Sequence, residues 1–199
     1  DAMGAAARER VRERHDAVVA AGGTCIMVST NWIGLSGLQH LRMHAAVPIH
    51  SHRNGWGALT RHPGLGFEFR AYQKILRLAG ADQLHVNGVQ GKFWEADDSV
   101  IASAAACLAP FAGTKPLIPV FSSGQWAGLA PTIHAQLGSD DLMHLAGGGI
   151  IGHPDGVAAG VTSMREGWEA ARAGISLDEY ARTRPALKAA IDRFGGARA

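Results

Sequence analysis

The feature that most constrains this chain is an alternation. Five short apolar runs, TCIMVST (24–30), VPIHSH (47–52), DQLHVN (82–87), PLIPVF (116–121) and LMHLA (142–146), are separated by stretches with helical spacing. Strands that alternate with helices pair in parallel, because a right-handed crossover returns the chain to the same edge of the sheet. Helices are expected over 3–20, 35–44, 67–79, 99–109, 129–137, 156–173 and 177–194. In the third, the apolar spacing falls on Phe69, Tyr72, Ile75, Leu76 and Leu78. Asp97, Asp98 or Ser99 is placed to cap the fourth, and Ser176 with Glu179 makes a capping-box pattern before the last. Residues 53–66 and the triplet 147–149 read as loops.

Two architectures accommodate such an order, a doubly wound sheet and a piece of a (β/α)8 barrel. The strand ends favour the barrel. Polar and glycine residues follow every strand: Asn31, His52–Arg53, His85–Asn87, Ser122–Ser123–Gly124 and Gly147–Gly148–Gly149. Barrels gather their chemistry at the C-terminal ends of many strands, whereas a doubly wound sheet concentrates it at one switch point. A whole barrel takes about 250 residues, so five strands in 199 residues make an incomplete one. Residues 1–20 read as a helix with no strand before it, so upstream sequence is expected to exist.

Composition narrows the class. At 47% hydrophobic residues the chain can build a packed core, and a net charge of +2 is too small to imply nucleic-acid binding, so no nucleic-acid partner is expected. No apolar run approaches the ~20 residues of a membrane span, and charges run through the first twenty residues, unlike a signal peptide. Cys25 and Cys107 have no metal spacing and form no disulfide framework. Each sits in an apolar run and is expected as a buried free thiol, which suits a reducing cytoplasm.

Several strand-end groups have chemical potential. Glycines at 147–149 let backbone N–H groups approach an oxyanion, and the last two loops of a barrel often hold a phosphate; both stretches also read as plain tight turns. Alternation puts His50 and His52 on one face and Ser51 on the other, with Arg53 at the strand tip, where a planar fork can hold a phosphate or carboxylate. The competing view is a surface arginine beside a core histidine. Lys92 closes a glycine-flanked loop and could stabilise developing negative charge, or be simply solvated. Phe93 and Trp94 beside it suggest docking against another surface. His153 is expected to be structural. No Ser-His-Asp, zinc or dinucleotide motif is present.

The stretches PIHSHR (48–53), FRAYQKILRLAGADQLHVNGVQGK (69–92), PVFSSGQ (119–125) and LAGGGIIGHPDG (145–156) resemble the RuBisCO large-chain superfamily, over about residues 24–175. The resemblance implies the C-terminal portion, about strands 4–8, of a TIM barrel, spanning 1–199 as a partial domain. It implies that Arg53 and His85 hold one anionic group and that Ser123, Gly124, Gly147 and Gly148 hold another. Lys92 then matches a mobile-loop lysine, and His52 is a candidate proton donor. Trp56 stands where carboxylases have a second histidine, Gln125 where they have a second glycine, and the loop after Lys92 reads Phe-Trp-Glu. These departures point to a RuBisCO-like protein similar to the decarboxylases or transcarboxylase/hydrolases of 3-oxo-isoapionate or its 4-phosphate, which implies a Mg2+-dependent carbon–carbon lyase working through an enolate.

The runners-up are a carboxylase-like enzyme, a methionine-salvage enolase or isomerase, and a non-catalytic anion-binding or structural relative. The family's Mg2+ is held by a lysine, an aspartate and a glutamate after the second strand, expected upstream of this chain, so no metal ligand is assigned here. The implied partners are an anionic sugar acid or sugar phosphate and a second copy of the full-length protein. Alone, the piece is expected to be inactive and poorly soluble.

Overall fold

The structure is a computed structural model that describes residues 2–196. Its sheet has five strands in sequence order: β1 (Ile26–Ser29), β2 (Ile49–His52), β3 (Gln83–Asn87), β4 (Ile118–Phe121) and β5 (Met143–His144). The registers are parallel, with Met27 opposite His50, His50 opposite Gln83, and Val120 opposite Met143. The helices are α1 (Ala2–Ala20), α2 (Thr30–His44), α3 (Gly57–Thr60), α4 (Phe69–Leu78), α5 (Asp97–Leu108), α6 (Ala130–Leu137), α7 (Gly147–Ile151), α8 (Gly156–Ala173), α9 (Leu177–Tyr180) and α10 (Pro185–Phe194). The expected parallel alternation is therefore the one found.

The chain divides into two compact units, Asp1–His85 with Ala106–Pro119, and Val86–Ala105 with Val120–Ala199. In the first, Leu38, Leu41, Ile49, Leu76 and Leu84 are fully buried. Asp82 ties the starts of two strands together: its carboxylate accepts from the Ile49 amide at 2.8 Å, and its own amide donates back to the Ile49 carbonyl. In the second unit, Ala127, Ala146, Met164, Ala181 and Leu187 form a core covered by Trp126, Ile150, Leu177, Tyr180 and Ile191.

Several local expectations need correction. Helix α2 begins at Thr30, five residues early, and is broken where Gly34 takes a left-handed φ of 69°. Within 53–66, the Trp56–Arg61 stretch winds into α3. Asp97 and Asp98 lie inside the first turn of α5; Asp97 accepts from the Gln90 amide and Asp98 from the Ser99 amide. The capping serine holds, since Ser176 accepts from the Glu179 amide. The single helix expected over 177–194 is two, because Pro185 has no N–H to continue a helix and starts a new one. Cys107 is buried, but Cys25 is only partly so.

On α4, Ile75 and Leu78 face out, at 44% and 57% exposure, while Gln73 and Arg77 are buried. The reason lies after α5. Arg77 donates to the carbonyls of Cys107, Ala109, Thr114 and Lys115, at 2.8–3.2 Å, and so fastens the turn 109–115. A guanidinium has five donors in a fixed fork, enough to reach these four carbonyls, of which that of Cys107 also accepts from the Leu117 amide.

Candidate functional site

In the first unit the site grows from the ends of β2 and β3. Alternation along β2 turns His50 and His52 toward His85, while Ser51 points the other way and shares a short hydroxyl hydrogen bond with Thr30. His50 Nε2 lies 3.1 Å from His85 Nδ1, and the rings of His52 and His85 are 4.3 Å apart. The Asn54 amide donates to His52 Nδ1 at 3.0 Å, which leaves the proton of the neutral ring on Nε2. Burial, then the charges of His52, His50 and Arg53, hold the His85 pKa down to about 3. Burial likewise lowers His50. His85 is therefore a neutral hydrogen-bonding group at physiological pH.

Arg53 is 6% exposed, and its guanidinium carbon sits 3.7 Å from the centre of the Phe69 ring. Trp56 makes the wall behind that ring. It is buried, stacks on Tyr72 at 4.8 Å, and meets Phe67 and Phe69 edge-on at 5.1 and 5.0 Å. An aromatic wall in place of an imidazole orients the arginine without adding a titrating group.

The second unit carries the other expected residues. Asn87 ends β3 in a left-handed conformation, φ 70°, and donates to Glu95 at 2.6 Å; Ser99 donates to the other carboxylate oxygen at 2.9 Å. These ties close the loop that bears Lys92. Lys92 is exposed at its tip, with Nζ 5.9 Å from the Phe93 ring. Phe93 and Trp94 are each about half exposed. Ser123 and Gly124 both take left-handed φ, 75° and 72°. For serine that conformation costs roughly 1–2 kcal/mol, and such strain collects at functional sites.

The glycine triplet opens helix α7 rather than forming a loop. Its three members differ. A side chain on Gly149 would lie 2.6 Å from the Gln125 carbonyl, so packing forbids one. At Gly147 and Gly148, both exposed, a side chain would meet open space. Packing does not require glycine there, whereas an anion approaching the free amides of a helix's first turn would. Gly147→Ala is expected to leave thermal stability unchanged or slightly higher and to weaken anionic-substrate binding about tenfold. Gly149→Ala should cost about 1–3 kcal/mol of stability through overpacking. Melting curves and KM measured on the full-length protein check both; an unaltered KM for Gly147→Ala would remove that glycine from the site.

His153 is structural as expected. Its Nδ1 accepts from the Asp155 amide and its Nε2 donates to the Ala186 carbonyl at 2.9 Å. Sequence reasoning missed Glu95, His144 and Trp168, and met Gln125 only as a departure from a pattern. The partners of His144 and Trp168 lie 19 and 24 positions away, where local spacing marks nothing; Glu95 meets Asn87 and Ser99 within its own loop. Among the described residues, no three His, Cys, Asp or Glu side chains gather as a metal-holding group, so these residues do not fit the Mg2+ that the resemblance implies. No described helix is long and apolar enough to cross a membrane.

The family of the ribulose bisphosphate carboxylase large chain, catalytic domain, matches residues 2–194, and the chain belongs to it. The chain is 51% identical over 185 residues to a 3-oxo-isoapionate-4-phosphate transcarboxylase/hydrolase of Xanthobacter autotrophicus, and 45% identical over 188 residues to a 3-oxo-isoapionate-4-phosphate decarboxylase of Rhizobium etli. These matches take in 92% and 94% of the chain but only 45% of each relative, so the chain spans under half of their length. A crystal structure of a RuBisCO-like protein from Burkholderia fungorum superposes with a TM-score of 0.89 at 45% identity, over 92% of this chain and 46% of that one.

Proposed function

We propose that this chain is the anion-gripping part of a RuBisCO-like enzyme that acts through an enolate on an oxo-sugar acid or its phosphate. The observation that carries this is Arg53, buried against Phe69 in the unit that also holds His52 and the neutral His85. A guanidinium held flat against an aromatic ring presents its planar fork of donors in a geometry that suits a phosphate or carboxylate. The names of the relatives supply the substrate class. The partial barrel spans 1–199 in this proposal, and the full-length protein is a homodimer.

Arg53 and His85 are assigned one anionic end of the substrate, and Ser123, Gly124, Gly147 and Gly148 the other. Anchoring both ends holds the breaking carbon–carbon bond in register, which is where positional catalysis arises. A 3-oxo acid that loses its carboxyl group leaves an enolate. His52 is assigned the return of a proton to that carbon, as an imidazolium that gives up its Nε2 proton and becomes the neutral ring. Lys92 neutralises charge near the departing carboxylate. Metal dependence belongs to the proposal, with ligands other than the residues described here.

The test is direct. The full-length protein is incubated with 3-oxo-isoapionate and with its 4-phosphate, with Mg2+ and with EDTA, following CO2 and product structure. Turnover that stops with EDTA is expected. Ligand binding without turnover of either compound would favour a non-catalytic anion-binding protein. Proton exchange without loss of CO2 would favour an enolase or isomerase. Lys92→Ala is expected to slow turnover; a rate within about twofold, less than ~0.5 kcal/mol on the barrier, would end that role.

A further inference from the structure

We propose that Gln125 is a positioning residue that locks the root of the Lys92 loop to the Ser123 turn, and that His144 and Trp168 set its orientation. The role rests on the enzymatic reading above, but the lock itself can be tested without it.

The direction of each hydrogen bond is forced. Trp168 Nε1 can only donate, so His144 Nδ1, 3.1 Å away, accepts. Burial lowers the His144 pKa to about 4, so the ring is neutral and its one proton is on Nε2. That proton goes to Gln125 Oε1 at 3.2 Å. The amide nitrogen of Gln125 then has to be the end that faces the loops, and it donates to the carbonyls of Val89 and Ser123, each at 3.0 Å. Gln125 is 2% exposed, so water does not compete for these bonds.

The two carbonyls are the ones that matter. Each belongs to a peptide flanking a left-handed residue: Gln90, φ 48°, follows Val89, and Ser123, φ 75°, precedes Gly124. Asn87, Gln90 and Ser123 are three of the four non-glycine residues with positive φ among those described. Such backbone persists only where the surroundings over-determine it. Gly88 completes the fit, because a side chain there would lie 2.1 Å from the Gln125 amide nitrogen and 2.2 Å from the Ser122 carbonyl. One buried amide therefore holds both the turn that leads to Lys92 and the turn that presents Ser123.

The experiment uses the full-length protein with Gln125→Met, which keeps the volume and removes both donors. Amide hydrogen exchange at residues 89–92 and 123–124 should accelerate about tenfold or more, and kcat should fall about tenfold. The fall should shrink to within about twofold when Gln125→Met is made in a Lys92→Ala background, because residues that act through one another are not additive. Should Gln125→Met not fold, Trp168→Phe removes the first donor and keeps an aromatic ring, and it should shift exchange and kcat in the same direction. Equal kinetic losses in both backgrounds, or exchange unchanged from wild type, would overturn the proposal. If the wild-type protein turns over no oxo acid, the functional reading fails, and the exchange measurement alone decides whether the lock exists.

Discussion

Arg53→Ala in the full-length protein should raise KM for an anionic oxo-sugar acid roughly ten- to a hundredfold, the loss of a charge-assisted contact of about 1.5–3 kcal/mol. The side chain is held before any ligand arrives, stacked on Phe69 in front of the Trp56 wall. Little conformational entropy is then lost on binding. Arg53→Lys keeps the charge but not the planar fork, and should recover only part of the affinity. A second readout needs no substrate. The Arg53 charge is one of the causes that depress His85, so its removal should raise the His85 pKa, measured by NMR titration of the imidazole. A KM unchanged in Arg53→Ala would place the substrate elsewhere, and an unmoved His85 would separate the two groups electrostatically.

Arg77→Met should destabilise the protein by about 3–5 kcal/mol, among the largest effects for a point substitution. Methionine fills much of the same volume, so the loss reports the hydrogen bonds rather than a cavity. The carbonyls of Ala109, Thr114 and Lys115 lose the arginine at once, and that of Cys107 keeps the Leu117 amide. The turn they belong to leads directly into β4. Chemical denaturation of the full-length protein measures the change, and limited proteolysis should find residues 109–115 cut first. A loss under about 1 kcal/mol would mean that water replaces the arginine without cost.

Much of this was legible in the chain. The alternation of apolar runs with helical segments determines a parallel order, since local periodicity sets the element type and crossover handedness sets the pairing. The strand-end residues were legible for the same reason: period-two alternation along VPIHSH sends His50 and His52 to one side and Ser51 to the other, as found. His153 as a turn residue was read from the Gly-His-Pro that follows the triplet.

What local pattern could not determine is which partner a side chain meets from elsewhere in the chain. Spacing alone put Ile75 and Leu78 on the inner face of α4; the turn at 109–115, with the carbonyls of Ala109, Thr114 and Lys115 to satisfy, drew Arg77 in instead. The three glycines of 147–149 look alike in sequence, and only the Gln125 carbonyl beside Gly149 distinguishes a packing glycine from two that stand open. Gln125 reads as a missing glycine until His144 and Trp168, 19 and 43 positions away by number, fix which end of its amide faces Val89 and Ser123. Periodicity is a property of neighbours along the chain, whereas burial, tautomer and amide direction belong to neighbours in space, and only the folded chain brings those together.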